Sequence, residues 1–400
     1  MGLNLNLKST QNVLTKTEGY WLYNDKGERF LDLTSGGYAF PLGFGNKEIA
    51  AAIHESLVTV TRCHSKLGYT MPIIEEMGDF LCESGGWASH CWTVTGTSAV
   101  ECAVYMADSW WDRTGDGRRG ILSFGYGWNG MSNLTKKMSG MYPVDGTRVH
   151  IVDTPIWRLH EEQEEEELIT LSEVARKVEQ NKDIGSIIIN PAPWFYGVNI
   201  WSHNFWRQLR KICDDHNILM ILDDIASCWG KAKAWHSQDT ILPTDVRADI
   251  SCLGKAITAG YAPLAAAVAN ERITEVVKDG FGYGHTFQPL VSGIAAMKAT
   301  TNIIKRDNLL EYSQVIEDRL SNLFQEFVDN GDGSSYRVHG LLGILDLKTT
   351  PNRSEANVGD RHYGVSGEKQ VNPNIRVCAP LIADDEYFFE LKKLMQGMIK

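Results

Sequence analysis

Ala248-Asp249-Ile250-Ser251-Cys252-Leu253-Gly254-Lys255 decides how this chain is read. It is a β-type run that closes on a Gly-Lys step, and the small, apolar segment 256–268 follows at once. A lysine at such a strand end can be held in dry surroundings. Desolvation there disfavours the ammonium and frees the amine as a nucleophile toward a carbonyl. Thirty-two residues before Lys255, at Asp223, the run Ile221-Leu222-Asp223-Asp224-Ile225 ends another apolar strand in acid. Together they suggest a Schiff-base lysine and the carboxylate that partners a pyridinium nitrogen. The plain alternatives are a solvated lysine after a strand and two acids that bind Mg2+. No G-x-x-x-x-G-K-[ST] phosphate loop accompanies those acids.

Outward from this pair, residues 90–270 alternate short apolar runs with helical segments. Strands are expected over 91–94, 120–124, 149–152, 184–190, 218–222, 250–253 and 263–268, and helices over 99–111, 171–180, 204–216 and 273–279. Such alternation indicates an α/β fold with a mostly parallel sheet covered on both faces. Upstream, residues 19–34 read as a β-hairpin about the turn Asn24-Asp25-Lys26-Gly27, followed by the Gly-rich loop Ser35-Gly36-Gly37-Tyr38-Ala39-Phe40. Helices are expected over 46–60 and 71–83, the second with Thr70 as N-cap and Pro72 in its first turn. Downstream, a long helical stretch over 289–329 leads to β segments at 336–347 and 374–380 and a final helix over 384–399. The expected division is a large domain, 46–287, and a smaller α+β domain built from 1–45 and 288–400.

The 400 residues are 43% hydrophobic and 22% charged, ordinary for a soluble globular protein. A net charge of −11 argues against a nucleic-acid partner, which calls for a basic patch. The eight cysteines are scattered and form no C-x-x-C pair, so a reducing compartment is expected. The N-terminus shows neither a signal-peptide pattern nor a myristoylation site, and no apolar run approaches the ~20 residues of a membrane span. A cytoplasmic location is the expectation. The acid run 161–167 reads as a solvated helix face or loop.

Three further segments could carry chemistry. Thr93-Val94-Thr95-Gly96-Thr97-Ser98-Ala99-Val100-Glu101 runs from a strand through a Gly-Thr-Ser turn into a helix. Its N–H groups, helped by the Thr97 and Ser98 hydroxyls, would form an anion site, or simply a capped helix. Phe124-Gly125-Tyr126-Gly127-Trp128-Asn129-Gly130 can lay an aromatic face on a flat ligand, or be a turn with a surface Trp. Gly284-His285-Thr286-Phe287 is a loop with one histidine.

In order and spacing these segments resemble the class III pyridoxal-phosphate-dependent aminotransferases of fold type I, nearest the diaminopelargonate and omega-aminotransferase branch. The resemblance spans nearly the whole chain. It rests on Leu31-Asp32-Leu33-Thr34-Ser35-Gly36-Gly37, on the 95–101 turn, on Trp128-Asn129-Gly130, and on 222–231. It continues through Leu253-Gly254-Lys255-Ala256, Pro263-Leu264-Ala265-Ala266, His285-Thr286-Phe287 and Ala379-Pro380-Leu381.

The resemblance implies pyridoxal 5'-phosphate as cofactor and no metal. By it, Lys255 forms the Schiff base and later shuttles the proton between the substrate carbon and the cofactor. Asp223 pairs with the ring nitrogen, Ile225 packs on one ring face and Trp128 on the other. Gly96 and Thr97 bind the phosphate, and Thr286 reaches the phosphate of the neighbouring protomer, which implies a homodimer. Tyr38 lines the substrate pocket. The implied reaction moves an amino group from an amine or amino-acid donor to a carbonyl acceptor by a ping-pong route. An aminomutase, racemase or decarboxylase on the same scaffold, or a cofactor-binding regulator without turnover, are the other readings.

Several positions depart from the family pattern: Asn129 for His, Asn190 for Glu, Asp224 for Glu, and Cys228-Trp229-Gly230-Lys231 for Gly-Phe-Gly-Arg. No arginine matches a carboxylate-reading position, and Lys369 falls near where some relatives place a cation. Trp194, Phe195, Tyr196 and Trp201 are either core or the wall of an acceptor pocket.

Overall fold

The computed structural model describes residues 13–63, 67–125, 127–140, 142–144, 146–153, 162–193, 197–349 and 374–399. Trp194, Phe195, Tyr196 and Lys369, on which expectations were placed, lie outside the described residues.

A three-stranded antiparallel sheet opens the chain: β1 (Leu14–Glu18), β2 (Trp21–Asn24) and β3 (Arg29–Leu31). The expected hairpin is its β2–β3 half; Gly27 sits at φ 77 and donates to the Asn24 carbonyl at 3.1 Å. The Gly-rich loop then makes one left-handed turn, with φ of 45, 60, 72 and 71° at Ser35, Gly36, Gly37 and Tyr38. Glycine adopts this region freely, whereas Ser35 and Tyr38 each cost about 1–2 kcal/mol. The Asp32 carboxylate offsets that cost. It accepts from Thr34 N at 3.0 Å, Thr34 Oγ1 at 3.1 Å and Gly36 N. The Ser35 hydroxyl donates to the Cys378 carbonyl at 2.7 Å, far along the chain.

Helix α1 (Lys47–Thr59) is capped by Asn46, whose side chain accepts from Glu48 N and Ile49 N. Helix α2 (Pro72–Glu83) has Pro72 in its first turn as expected, but its N-cap is Met71, without a side-chain bond. The Thr70 hydroxyl donates to Glu75 instead.

The central sheet follows from alternation: β4 (Ser89–Thr93), α3 (Gly96–Thr114), β5 (Gly120–Phe124), β6 (Val149–Val152), α4 (Gln163–Gln180), β7 (Ile184–Ile189), α5 (His203–Asp215), β8 (Leu219–Asp223), β9 (Ile250–Leu253), β10 (Ala265–Ala269) and α6 (Glu271–Val277). The strand order is β4-β10-β9-β8-β7-β5-β6. All neighbours from β6 to β9 are parallel; β10 runs antiparallel to β9 and β4. Successive residues feed opposite cores. Leu219, Ile221, Ile250, Cys252, Ala265 and Ala267 pack with α3, while Met220, Leu222, Leu253, Ala266 and Val268 enter the larger core on the other face. Alanine is a poor strand former, yet β10 is built from it. The small side chains let α3 lie close, so that the Cys252 thiol reaches the Ala99 carbonyl at 3.6 Å.

Two helices start earlier than their apolar periodicity predicts. α3 begins at Gly96 because Thr95 and Ser98 form a capping box ahead of the apolar face. α4 begins at Gln163, so the acid run supplies its first turns. That run is not wholly solvated: Glu167 is buried, accepting from Gln163 Nε2 at 2.8 Å, Ser202 N at 2.6 Å and the Ser202 hydroxyl at 2.5 Å, which fixes the start of α5.

The stretch expected as one helix is two, α7 (Val291–Arg306) and α8 (Leu309–Asp329), because Asn308 turns left-handed at φ 53. The next segment is a hairpin, β11 (Gly333–His339) and β12 (Leu342–Leu347), turned at Gly340. β13 (Asn374–Cys378) pairs antiparallel with β12, and α9 (Asp385–Ile399) ends the described chain. The two chain ends meet: Cys378 N donates to the Leu33 carbonyl at 2.8 Å, Leu381 N to Pro41 at 2.7 Å, and Tyr20 Oη to Asp384 at 2.8 Å. Among the described residues no helix is long and apolar enough to cross a membrane. All eight cysteines are free thiols.

Buried Asp249, just before β9, ties three elements. It accepts from Met220 N at 2.8 Å, Arg210 Nη1 at 2.9 Å and Asn270 Nδ2 at 3.1 Å. Removing one partner of such a buried pair costs about 3–5 kcal/mol. Asp249→Ala is expected to lower the unfolding free energy by that amount, read as a lower urea midpoint at an unchanged slope; an unchanged midpoint overturns this account of strand alignment.

Candidate functional site

Five loops leave the carboxyl ends of β4, β5, β7, β8 and β9 on one edge of the sheet, where open α/β sheets bind ligands. They enclose a cavity of about 190 Å3 lined by Tyr38, Gly96, Thr97, Trp128, Asp223, Ile225 and Lys255, and also by Asn129, Asn190 and Pro193. Seven of the eight residues singled out from the sequence therefore meet in one place. Thr286 does not. It is exposed outside the cavity, where its carbonyl accepts from Arg62 Nη2 at 3.2 Å.

Register brings the two central groups together. β8 and β9 are parallel neighbours with Asp223 opposite Cys252, so Lys255, just past the end of β9, lies beside the acid. Asp223 is buried, and burial pushes its carboxyl up to about 6. Asn129 Nδ2 opposes that shift, donating to Asp223 Oδ2 at 2.8 Å, and Ile225 N approaches Oδ1 at 3.4 Å. The nearby Lys255 ammonium pulls the same way. Burial lowers the Lys255 amine to about 8, with the Lys231 charge acting in the same sense and Asp223 against it. Near neutrality the pair is thus an acid mostly ionised and an amine within reach of its neutral, nucleophilic form.

Asp224 takes no part. A strand sends adjacent side chains to opposite faces. Its carboxylate accepts from Ser227 Oγ at 2.8 Å and Ser237 N at 2.9 Å, inside the core, where burial raises it to about 7. The two acids therefore do not converge on one point, as a shared Mg2+ would require.

At the other end of the cavity, α3 points its N-terminus inward. Thr95 Oγ1 accepts from Ser98 N at 3.1 Å and Ser98 Oγ from Thr95 N at 2.9 Å. The Ser98 hydroxyl is committed to this cap rather than to a ligand, contrary to the anion-site reading, which keeps Thr97 and the free N–H groups of the first turn. Gly96 and Gly130 allow the close approach. A Cβ on Gly96 would lie 2.9 Å from Ile225 Cδ1, and one on Gly130 2.6 Å from Thr97 Oγ1.

Asn129 and Asn190 were legible only as departures from a family pattern. Each is an Asp223 ligand: the Asn190 amide donates to the Asp223 backbone carbonyl at 3.3 Å. Lys231 is buried and donates from Nζ to the Tyr38 carbonyl at 2.7 Å. Trp201, one of the ambiguous aromatics, is core, stacked on Phe205 at 4.0 Å.

These residues fit pyridoxal 5'-phosphate. Its phosphate suits the glycine-lined N-terminus of a 19-residue helix, and its protonated ring nitrogen suits a buried carboxylate. Its flat ring suits a cavity lined by Ile225 and the half-open Trp128, and its aldehyde suits a buried amine.

Comparison with known proteins agrees. The family described as aminotransferase class-III matches residues 5–399. The 5-aminovalerate aminotransferase DavT of Pseudomonas aeruginosa is 24% identical over 318 residues, covering 77% of this chain and 72% of its own. The (R)-1-hydroxy-2-aminoethylphosphonate ammonia-lyase of Vibrio splendidus is 32% identical over 157 residues, covering 38% of this chain and 31% of its own. An amine transaminase from an uncultivated Pseudomonas species, solved in its PLP-bound form, shares the fold. Its TM-score is 0.86 at 22% identity, and the match covers 100% of this chain and 98% of that one. The expected fold type I and the cofactor are thereby established: this chain belongs to the class-III aminotransferases and works with pyridoxal 5'-phosphate.

Proposed function

We propose that the amino transfer runs through Lys255 and Asp223, because five strand-end loops converge on that pair. The bound cofactor supplies a reactive aldehyde and a ring that withdraws electrons. Asp223, held by Asn129 and Ile225 N–H, would keep the proton on the ring nitrogen. Ile225 and Trp128 would cover the ring's two faces. Gly96 and Thr97, at the start of α3, would hold the phosphate. The Lys255 amine would hold the cofactor's aldehyde carbon and would be the base that moves the proton to and from the substrate carbon. Tyr38 borders the substrate side.

Thr286 belongs to a second part of the proposal. Its exposed position outside the cavity suits a reach into the phosphate site of a second copy, so the working form would be a homodimer. The smaller domain of 1–45 with 288–400 is proposed on the hydrogen bonds that join the chain ends. A cytoplasmic location is proposed on the free cysteines and the absence, among the described residues, of a membrane-crossing helix. Substrates would be a small amine or amino-acid donor and a carbonyl acceptor; DavT and the amine transaminase make ω-amino acids and simple amines the first donors to try.

Lys255→Ala is expected to lose the near-visible absorbance of the bound cofactor and at least about a thousand-fold in activity; retention of both removes the proposal. Asp223→Asn should lower kcat by about a hundred- to a thousand-fold while the protein stays folded. Uptake of added cofactor should accelerate as pH rises through about 8 and level off above it. The sign follows because burial destabilises the ammonium, so the reactive amine gains population on the alkaline side. Initial-velocity lines for a productive donor and acceptor should be parallel, and donor alone should give one equivalent of carbonyl product without free ammonia. Steady ammonia release would instead mark an elimination like that of the Vibrio splendidus relative.

A further inference from the structure

Tyr38 stands between two buried-wall lysines. Lys231 Nζ donates to the Tyr38 carbonyl at 2.7 Å, and Lys255 Nζ lies 5.3 Å from the centroid of the Tyr38 ring. Lys231 is 1% exposed and rigidly placed. Its own carbonyl accepts from Leu341 N at 2.9 Å, and the β11–β12 turn approaches so closely that a Cβ on Gly340 would lie 2.1 Å from that oxygen. A buried amine is costly where a methionine would fill the same space. Tyr38 is also costly, since it holds a left-handed backbone without being glycine.

We propose that Lys231 is a positioning residue for Lys255: it fixes, through the Tyr38 carbonyl, the turn that stands the Tyr38 ring against the Lys255 amine, and it sets a second positive charge in the same wall. This rests on the reading of Lys255 as the cofactor lysine. The groups facing Lys255 are Tyr38 from the first loop, Asp223 at the end of β8, Cys228 and Lys231 from the loop after it, and Cys378 at the end of β13. Burial pushes the Cys228 and Cys378 thiols up to about 12, so both are neutral near pH 7. That leaves Asp223 and Lys231 as the groups whose charge acts on Lys255. Lys231 itself faces Cys228, Cys378 and Asp224, and burial lowers its amine. A cation beside Lys255 opposes protonation of its nitrogen, so losing it should raise the midpoint of that nitrogen.

The test is a pH titration of the near-visible absorbance of the full-length, cofactor-loaded protein. Lys231→Met removes bond and charge, and its midpoint should rise by about one pH unit, a ten-fold effect. Lys231→Gln keeps a donor for the Tyr38 carbonyl but not the charge, and should shift in the same direction but less far; a shift equal to that of Met overturns the bond's part in the proposal. Lys231→Arg keeps both and should titrate like the parent. Met and Gln variants that share the parent's midpoint, or an Arg variant that shifts as far as Met, overturn the proposal. Should the Met variant fail to fold, the Gln and Arg arms decide alone. Failure of the Lys255 assignment is separable, because Lys255→Ala would then keep the near-visible band.

Discussion

The site depends on one constraint: a carboxylate and an amine are held together out of water at the ends of two adjacent parallel strands. Neither group is comfortable there. Burial raises Asp223 and lowers Lys255, and each shift works against the charge that the group would carry in solvent. What keeps the pair useful is that neither relies on the other alone. Asn129 and Ile225 N–H hold the acid from two sides, so it stays an acceptor even when Lys255 gives up its charge. A ring nitrogen that needs a permanent counter-charge and an aldehyde that needs a neutral amine make opposite demands. The fold meets them a few residues apart by giving the acid fixed donors and the amine mostly burial.

That placement is secured far from the cavity. β8 and β9 must keep a register in which Asp223 faces Cys252, and Asp249 ties the start of β9 to β8, α5 and α6. The alanines of β10 let α3 settle against the sheet, which carries its N-terminus to the rim of the same cavity. A bulkier β10 would push that helix end outward, and a phosphate held there would draw the ring away from Asp223. The chain's two ends enter the same scheme. The left-handed turn carrying Tyr38 is braced by Asp32 within the loop, by Cys378 from β13 and by Lys231 from the loop after β8.

The sheet was legible because buried parallel strands leave short apolar runs between helices, and all seven expected strands are present within a residue or two. Seven of the eight proposed site residues converge for the same reason: strand ends, glycine turns and helix starts are local patterns that topology then gathers. What the sequence hid was relational. Glu167 looks like any member of an acid run, yet its burial follows from Ser202 lying opposite it. The break at Asn308 is a backbone conformation that helical periodicity does not register. Asn129 reads as a lost histidine, but its amide does what a neutral imidazole N–H could do for Asp223, without a titration of its own near neutrality.

The same logic bears on Lys231, where the family pattern has arginine. A guanidinium keeps its charge under almost any burial, while a buried lysine amine responds to its surroundings. In this chain the amine lies in the same wall as Lys255 and shares Tyr38 with it, so the two nitrogens and Asp223 form one coupled set rather than an isolated ion pair. The charge on Lys231 then follows from what lies beside it. Lysine in place of arginine therefore sets behind Tyr38 an amine whose charge burial opposes, held there by a single backbone carbonyl.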